Sequence, residues 1–178
     1  MIFVDNDTNR AFIYGEEPTQ ITLSNKDTTT TITVEIDDRL SSETYKIDYD
    51  KHIIYIDSIK AYKLGYEEFM NNLNAVVIGH KVLDKDGVDI TGQTSKNIGT
   101  SFKLVNGAET YTVALIGDIN RDGKISLADV ANLLNYVSGN TELNEAQILA
   151  GRIRKTSAPK TGDVAKLFNF VTSQINEL

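Results

Sequence analysis

The feature that most constrains this chain is an internal repeat close to its C-terminal end. ADVANLLNYV at 128–137 and GDVAKLFNFV at 162–171 share six of ten residues, and the match extends back without an insertion to Gly117 and Gly151. A supersecondary unit that is repeated in this way packs as a pair, because neither copy can bury its apolar face alone. We therefore expect the valines and leucines of both copies, Leu134 among them, to form a common core.

The residues within the repeat are spaced as in helices. Apolar side chains recur at intervals of three and four residues in 127–137 and in 161–175, which indicates two amphipathic helices. A shorter segment between them, 144–149, is long enough for one or two further turns. We expect residues 117–178 to form a small all-α module.

The residues before this repeat show instead the alternating apolar positions and the β-branched content of strands. Strand signals fall at 28–37, within 45–57 around Asp50-Lys51, at 75–83 and at 101–105 and 110–116 around Asn106-Gly107, with a turn at 84–87 and a short helix at 66–73. The predicted fold class is mixed, with a β-rich domain (β-sandwich-like or α+β) at 1–116 and 1–44 plus 45–116 as an alternative subdivision. Because no Pro/Gly/Ser linker marks residue 116, we expect the two parts to pack directly together.

Charge and composition exclude several classes of function. The 178 residues carry a formal net charge of −7 and contain no cysteine. An acidic surface disfavours nucleic acid and anionic membranes as partners. The two histidines, His52 and His80, each lie in a strand-like apolar run, and no nucleophile–base pattern accompanies them. We therefore expect a protein that is not an enzyme, and the lack of a long apolar run predicts no membrane insertion.

The loop before the first repeated helix, GDINRDGKISLAD at 117–129, has the ligand spacing of a calcium-binding loop. Calcium prefers six to eight oxygen ligands, which an EF-hand-type loop supplies from positions 1, 3, 5, 7, 9 and 12, with a glycine at position 6. Counted from Asp118, the predicted ligands are Asp118, Asn120, Asp122, the Lys124 carbonyl, Ser126 and Asp129, and Gly123 stands at position 6. Three crowded carboxylates would repel one another without a cation, so we predict one calcium ion rather than magnesium. The alternative is an acidic turn that caps the helix without a metal.

The second loop, GRIRKTSAPKTGD at 151–163, keeps only the last ligand position. In the same frame, Arg152 and Arg154 stand at positions 1 and 3, and Asp163 stands at position 12. Such a loop cannot hold a divalent cation of its own. We expect Arg152 or Arg154 to fold back on Asp163 and to replace the charge of the ion by a charge-assisted hydrogen bond. The alternative is a decayed and mobile loop.

Two loop–helix units, the first with the pattern GD.N.DG.I...D, resemble a dockerin of type I or type II, whose F-hands lack the entering helix of an EF-hand. The resemblance covers about residues 117–175 and is degenerate in the second unit. It implies a calcium-binding module of a secreted bacterial protein that binds a cohesin module, often in a cellulosome-type complex that degrades plant polysaccharide. The β-rich part loosely resembles the X-modules that precede some dockerins. By this resemblance the chain is a fragment of an extracellular or cell-surface protein and is monomeric alone.

The resemblance also implies a cohesin-binding face. Dockerins contact cohesin through loop positions 10 and 11 and through exposed positions of both helices. The implied contact residues here are Leu127, Ala128, Asn132, Asn135, Tyr136, Lys166, Phe168, Asn169 and Phe170, with Thr161 and Gly162 as the second loop's pair. Leu127-Ala128 departs from the hydroxyl pair common in type I dockerins, and the difference between the loops weakens the case for a two-fold-related second binding mode.

Two functions therefore compete. In the first, the loop and the helix pair form an adaptor that docks the parent protein on a cohesin. In the second, the calcium site only stabilises the end of a β-rich cell-surface stalk. An apolar patch exposed on the helix pair would favour the adaptor, whereas complete burial of that patch by residues 1–116 would favour the stalk.

Overall fold

The computed structural model describes residues 2–5, 10–13, 19–24, 29–34 and 39–178. The chain divides into two compact units, Met1–Arg39 and Leu40–Leu178. The first unit contains two antiparallel strand pairs: β1 (Ile2–Asp5) with β2 (Arg10–Ile13), and β3 (Thr19–Ser24) with β4 (Thr29–Val34). β4 confirms the strand predicted at 28–37 for its described residues.

The second unit is mixed α/β. Its strands are β5 (Lys46–Asp48), β6 (Ile53–Ile56), β7 (Leu64–Gly65), β8 (Lys81–Leu83), β9 (Asn97–Ile98), β10 (Lys103–Asn106) and β11 (Glu109–Leu115). Its helices are α1 (Tyr66–Asn71), α2 (Leu127–Val137), α3 (Glu145–Gly151) and α4 (Thr161–Val171). Five strands form one sheet in the order β5-β6-β11-β10-β8, with β6 and β11 parallel, and β7 pairs with β9. No helix of the described residues is long and apolar enough to cross a membrane.

Both hairpins predicted for this unit are formed. β5 pairs antiparallel with β6, and β10 pairs antiparallel with β11. The second hairpin pairs Asn106 with Glu109, so its turn is Gly107-Ala108 and not Asn106-Gly107. Gly107 has a φ of +65°, in the left-handed region that glycine enters without steric cost.

The strand signal at 75–83 is realised only in β8, and the prediction is wrong for residues 75–80. The Asn106 side chain accepts a hydrogen bond from the Val77 N–H (2.8 Å) and donates one to the Ala75 carbonyl (3.2 Å). These bonds satisfy backbone groups that a strand would pair with a neighbour. The acidic stretch that follows forms the predicted turn, closed by the Gly87 N–H on the Asp84 carbonyl at 3.0 Å.

One apolar core runs through the 40–178 unit and includes residues of the sheet and of α2 and α4. The predicted boundary near residue 116 does not separate two compact units. Ile116 donates its N–H to the Ile56 carbonyl (2.9 Å), and Gly117 donates to the Ala150 carbonyl (2.9 Å). The two predicted parts therefore pack directly together from residue 40 onward, and an all-α module at 117–178 stays a prediction from the sequence.

Candidate functional site

The two repeats lie in equivalent environments. Ile119, Val130 and Leu133 are buried, and so are their counterparts Ile153, Val164 and Leu167, each 34 positions later. A Cβ placed on Gly117 would lie 3.2 Å from Cδ1 of Leu167, and one on Gly151 would lie 2.8 Å from Cδ1 of Leu133. Each repeat thus packs its first glycine against the central leucine of the other. The shared core predicted from the repeat is confirmed at these positions.

The backbone turns repeat as well, with one exception. Position 4 of each loop has a positive φ, at Arg121 (+65°) and at Lys155 (+57°). At position 6, Gly123 has a φ of +73°, whereas Ser157 of the second loop does not adopt a positive φ. Position 6 is where an EF-hand-type loop makes its sharp turn. Of the two loops, only the first therefore makes this turn.

Main-chain N–H groups hold the carboxylate at position 12 of the first loop. Oδ1 of Asp129 accepts hydrogen bonds from the N–H groups of Ile119 (2.8 Å) and Asn120 (2.9 Å), and Oδ2 accepts from the Ser126 N–H (2.8 Å). Asp129 also completes the capping box of α2 with Ser126. This fully buried side chain therefore joins the start of the loop to the start of the helix.

Asp118, at position 1, is also fully buried. Its Oδ2 accepts hydrogen bonds from the N–H groups of Thr100 (2.7 Å) and Gly123 (3.3 Å), and its Oδ1 accepts from the Asp122 N–H (3.1 Å). A Cβ on Gly99 would lie 2.8 Å from both Asp118 Oδ2 and the Gly123 nitrogen. The segment before β10 therefore closes one side of the loop, and residue 99 must be small to allow it.

A second segment of the β-rich part holds the other side of the loop. Lys63 forms an antiparallel bridge with Lys124, and the Ile125 N–H donates to the Tyr62 carbonyl at 2.7 Å. Ile125, at position 8, is buried, as its apolar character predicts. The sequence analysis missed these supporting segments, since nothing local relates residues 62–63 or 99–100 to a loop at 118–129.

Burial makes the charged forms of the carboxylates in the first loop unfavourable. Burial raises the pKa of Asp118 to about 7, against the effect of the Thr100 N–H and together with the nearby charges of Asp129 and Asp122. Burial also raises the pKa of Asp129, although three N–H groups oppose it. No ion pair within the described residues involves any of these three carboxylates. A bound cation would stabilise their charged forms.

The residues fit calcium in their chemistry. The predicted set offers carboxylate, amide, hydroxyl and carbonyl oxygens, which are the hard ligands that calcium prefers. Asp122 Oδ1 accepts the Lys124 N–H (2.8 Å) and Asn120 Oδ1 accepts the Asp122 N–H (3.0 Å), so both side chains stay within the loop. Across the described part of the chain, however, no three His, Cys, Asp or Glu side chains are grouped closely enough to hold a metal. The calcium ion thus stays a prediction from residue type, order and burial.

Asp163 repeats the position of Asp129 in the second loop. It is fully buried, and its oxygens accept the N–H groups of Arg154 (2.6 Å) and Lys160 (2.8 Å). The charge-assisted bond predicted from an arginine side chain is not formed, since no ion pair of the described residues joins Asp163 to Arg152 or Arg154. Main-chain N–H groups take that role instead.

The arginine and lysine side chains of the second loop point to other partners. The Arg152 Nε–H donates to the Thr156 carbonyl, within the loop. Lys155 Nζ lies 3.4 Å from Oδ2 of Asp57, and Lys46 pairs with the same oxygen. Although burial opposes its ionisation, these lysines hold the pKa of Asp57 below its usual value. The second loop therefore provides a positive charge to the sheet region.

The predicted partner-binding residues differ in exposure. Leu127, Ala128, Asn135, Phe168 and Asn169 are exposed, and Asn132, Tyr136 and Lys166 are half-buried. Phe170 does not suit this role: it is 2% exposed, and its ring packs 5.1 Å from that of Tyr62. Conversely Leu134, expected in the core, is 47% exposed, the same as its repeat counterpart Phe168. Leu134 is therefore a surface residue that the apolar spacing assigned to the wrong side.

Comparison of the chain with protein-family models, with curated proteins and with solved structures gives no match. The functional proposal therefore depends on the residues and geometry of this chain and on the resemblance in its sequence.

Proposed function

We propose that this protein is a calcium-dependent docking module that attaches its parent protein to a cohesin module of a bacterial cell-surface or cellulosome-type complex. The observation that carries the proposal is the first loop. Asp118 and Asp129 are fully buried there, and no lysine or arginine of the described residues pairs with either. Bound calcium would supply the positively charged partner that these carboxylates lack.

The same residues connect the first loop to the exposed surface of α2 and α4. Asp129 caps α2 through Ser126, and α2 packs on α4. The two helices expose the apolar side chains of Leu127, Leu134 and Phe168. Leu127 and Leu134 stand seven residues apart and so share one face of α2, and an apolar helix face left exposed supports the adaptor over a stalk that would bury it. The role of the loop residues is to fix this surface by fixing the start of α2.

The proposal is tested by calorimetric titration of calcium into chelator-treated protein. We expect one site per chain, and we expect Asp118→Ala to abolish it, since the variant loses the buried carboxylate at position 1. Arg152→Ala alters the same position of the second loop and is the matched control, for which binding should stay unchanged. Cohesins are then screened for binding with and without calcium.

Three results would change the conclusion. No binding at millimolar calcium would remove the basis of the docking mechanism. Two sites per chain would place a second group of calcium ligands outside the first loop. Calcium binding at one site without capture of any cohesin would favour the stalk, in which calcium only stabilises the fold.

A further inference from the structure

A recess of about 510 Å³ lies beside the first loop and shares Asp122 and Lys124 with the predicted calcium site. Its lining includes four basic side chains, Lys85, Lys96, Arg121 and Lys124, and three carboxylates. The charged groups therefore leave one net positive charge in a chain whose formal net charge is −7. The volume lies in the range of small-molecule sites, which is about 300–1,000 Å³.

The carboxylates of the recess already have partners. Asp86 pairs with Lys85 at 2.6 Å, and Asp84 accepts two main-chain N–H groups at 2.9 Å. Asp122 accepts the Lys124 N–H at 2.8 Å. These acids are thus engaged by the protein itself, and they also consume the charge of one of the four basic residues.

The three other basic side chains are not engaged in this way. Lys96, Arg121 and Lys124 form no ion pair with any residue that the structure describes. The Nε atom of Arg121 is buried and has no hydrogen-bond partner among those residues. A buried donor without an acceptor is unfavourable, and such groups are rare in folded proteins. Because Nε has no solvent-exposed surface in this conformation, a ligand acceptor reaches it only when the half-buried Arg121 side chain turns toward the recess.

We propose that the recess binds the carboxylate group of an anionic ligand, with Arg121 as the principal contact and Lys96 and Lys124 as flanking charges. A guanidinium presents its N–H groups in a planar fork that matches a carboxylate. A single negative charge on the ligand balances the net charge of the recess. A dianion such as sulfate would be repelled more strongly than a monoanion by the three carboxylates that line the recess. Ser95 and Asn97 also line the recess and can bind hydroxyl or amide groups of the ligand. The side chains of Lys96, Arg121 and Lys124 are not predicted calcium ligands, so the inference does not rest on bound calcium.

The test is an NMR titration of the full chain, at constant ionic strength, that follows the Arg121 Nε–H and the amides of residues 96 and 121–124. The probes are D-glucuronate, capped glutamate, D-glucose as the neutral counterpart of glucuronate, and sulfate. We expect both carboxylates to shift these signals, and glucose to have no effect. Tighter binding of glucuronate would indicate that the natural ligand is a free sugar acid. Tighter binding of capped glutamate would indicate that it is an acidic side chain of a partner protein.

Variants distinguish binding by the planar guanidinium of Arg121 from attraction by positive charge alone. Arg121→Gln should weaken carboxylate binding by about tenfold or more, as expected for loss of a charge-assisted hydrogen bond. Arg121→Lys keeps the charge and should still lose much of the affinity, and Arg154→Gln, in the second loop, should bind as the wild type does. Equal binding by wild type and Arg121→Gln, equal shifts with glucose, or tighter binding of sulfate would each overturn the proposal. The amide spectra of the variants verify that they are folded.

Discussion

The two loops share a frame and differ in how their buried acids are neutralised. Each buries a position-12 carboxylate, Asp129 or Asp163, against main-chain N–H groups. Only the first loop buries a second carboxylate, Asp118, in the place of Arg152. One buried acid can be accommodated by N–H donors alone. A second acid nearby raises the electrostatic cost, and a cation becomes the simplest remedy.

The two loops also present opposite charges to the β-rich part, a carboxylate from the first loop and an ammonium group from the second. The first loop receives a hydrogen bond from the Thr100 N–H on its buried Asp118, so its acid is held from outside the loop. The second loop supplies Lys155 to the Asp57 carboxylate. The first loop is therefore built around negative charge, whereas the second needs no metal to make its contact.

The largest difference in calcium affinity is expected between Asp129→Asn and Asp163→Asn. The first substitution removes a predicted calcium ligand and should weaken calcium binding by about 100-fold or more. The stabilisation by saturating calcium, about 2.7 kcal/mol at 100 times the Kd, should be lost with it. Asp163→Asn should leave calcium affinity unchanged and cost about 1–3 kcal/mol of unfolding free energy, because one N–H loses its acceptor. Calcium calorimetry and urea unfolding of both variants measure these effects.

Equal calcium affinities for these two variants would contradict the assignment of the ion to the first loop. Loss of binding in both would mean that Asp163 supports the site through the shared core. Asp48→Asn, in the exposed end of β5, provides the control for a change of net charge alone.

The next effect concerns the space around each loop. Gly99→Ala would place a Cβ 2.8 Å from the Asp118 carboxylate and from the Gly123 backbone, neither of which can move easily. We expect a loss of about 1–3 kcal/mol in unfolding free energy and a calcium affinity reduced about tenfold. Gly162→Ala meets the end of the flexible Arg154 side chain, which can move aside, so its effect should stay within about 0.5 kcal/mol.

Urea unfolding with chelator and with calcium separates the two contributions of Gly99→Ala. A variant as stable and as calcium-competent as the wild type would show that segment 97–100 does not support the loop.

A smaller effect should appear with pH, through the buried carboxylate of Asp118 in the first loop. The folded pKa of Asp118 is about 7, whereas an unfolded aspartate has a pKa near 3.9. Between these values the calcium-free folded state binds more protons, so its stability should fall as pH rises from about 4 to 7. Calcium must displace this proton, and its affinity should rise by up to about tenfold per pH unit until pH 7.

Calorimetry in buffers of different ionisation enthalpy measures the proton release directly. About one proton per calcium is expected near pH 6, falling toward zero above pH 8. A calcium affinity that does not change between these pH values would contradict a protonated Asp118 in the metal-free protein.

Local patterns predicted the elements of this chain well where short-range signals decide. The apolar spacing gave α2 with its observed bounds, Leu127–Val137. Alternation gave the first hairpin, and the Asn106-Gly107 signal gave the second, with its turn one residue later than predicted. The helix predicted at 161–175 ends earlier, at Val171, where Ser173 takes a φ of +59°. The strand signal at 75–80 fails because a distant side chain, Asn106, binds that backbone.

The candidate site was predictable in its residues and not in its surroundings. Spacing alone selects Asp118 and Asp129, and their burial agrees with an inward-facing role. The supporting Gly99 and Thr100 come from a distant strand region, which no local pattern relates to the loop. Helical periodicity also cannot tell which apolar residues at the edge of a stripe are covered. It therefore placed Leu134 in the core, where the structure exposes it, whereas the dockerin resemblance placed Phe170 on the surface, where the structure buries it.

Leu134→Asp and Phe168→Asp should both have only a small effect on stability. These side chains hold the same repeat position and are each 47% exposed, so each variant should unfold within about 1 kcal/mol of the wild type. Their effects on cohesin binding should differ strongly, because only the first repeat carries a calcium-type loop and an exposed Leu127. We expect Leu134→Asp to abolish capture and Phe168→Asp to weaken it less. Equal losses in binding assays would instead favour two binding orientations related by the repeat, and no loss in either would place the partner surface elsewhere.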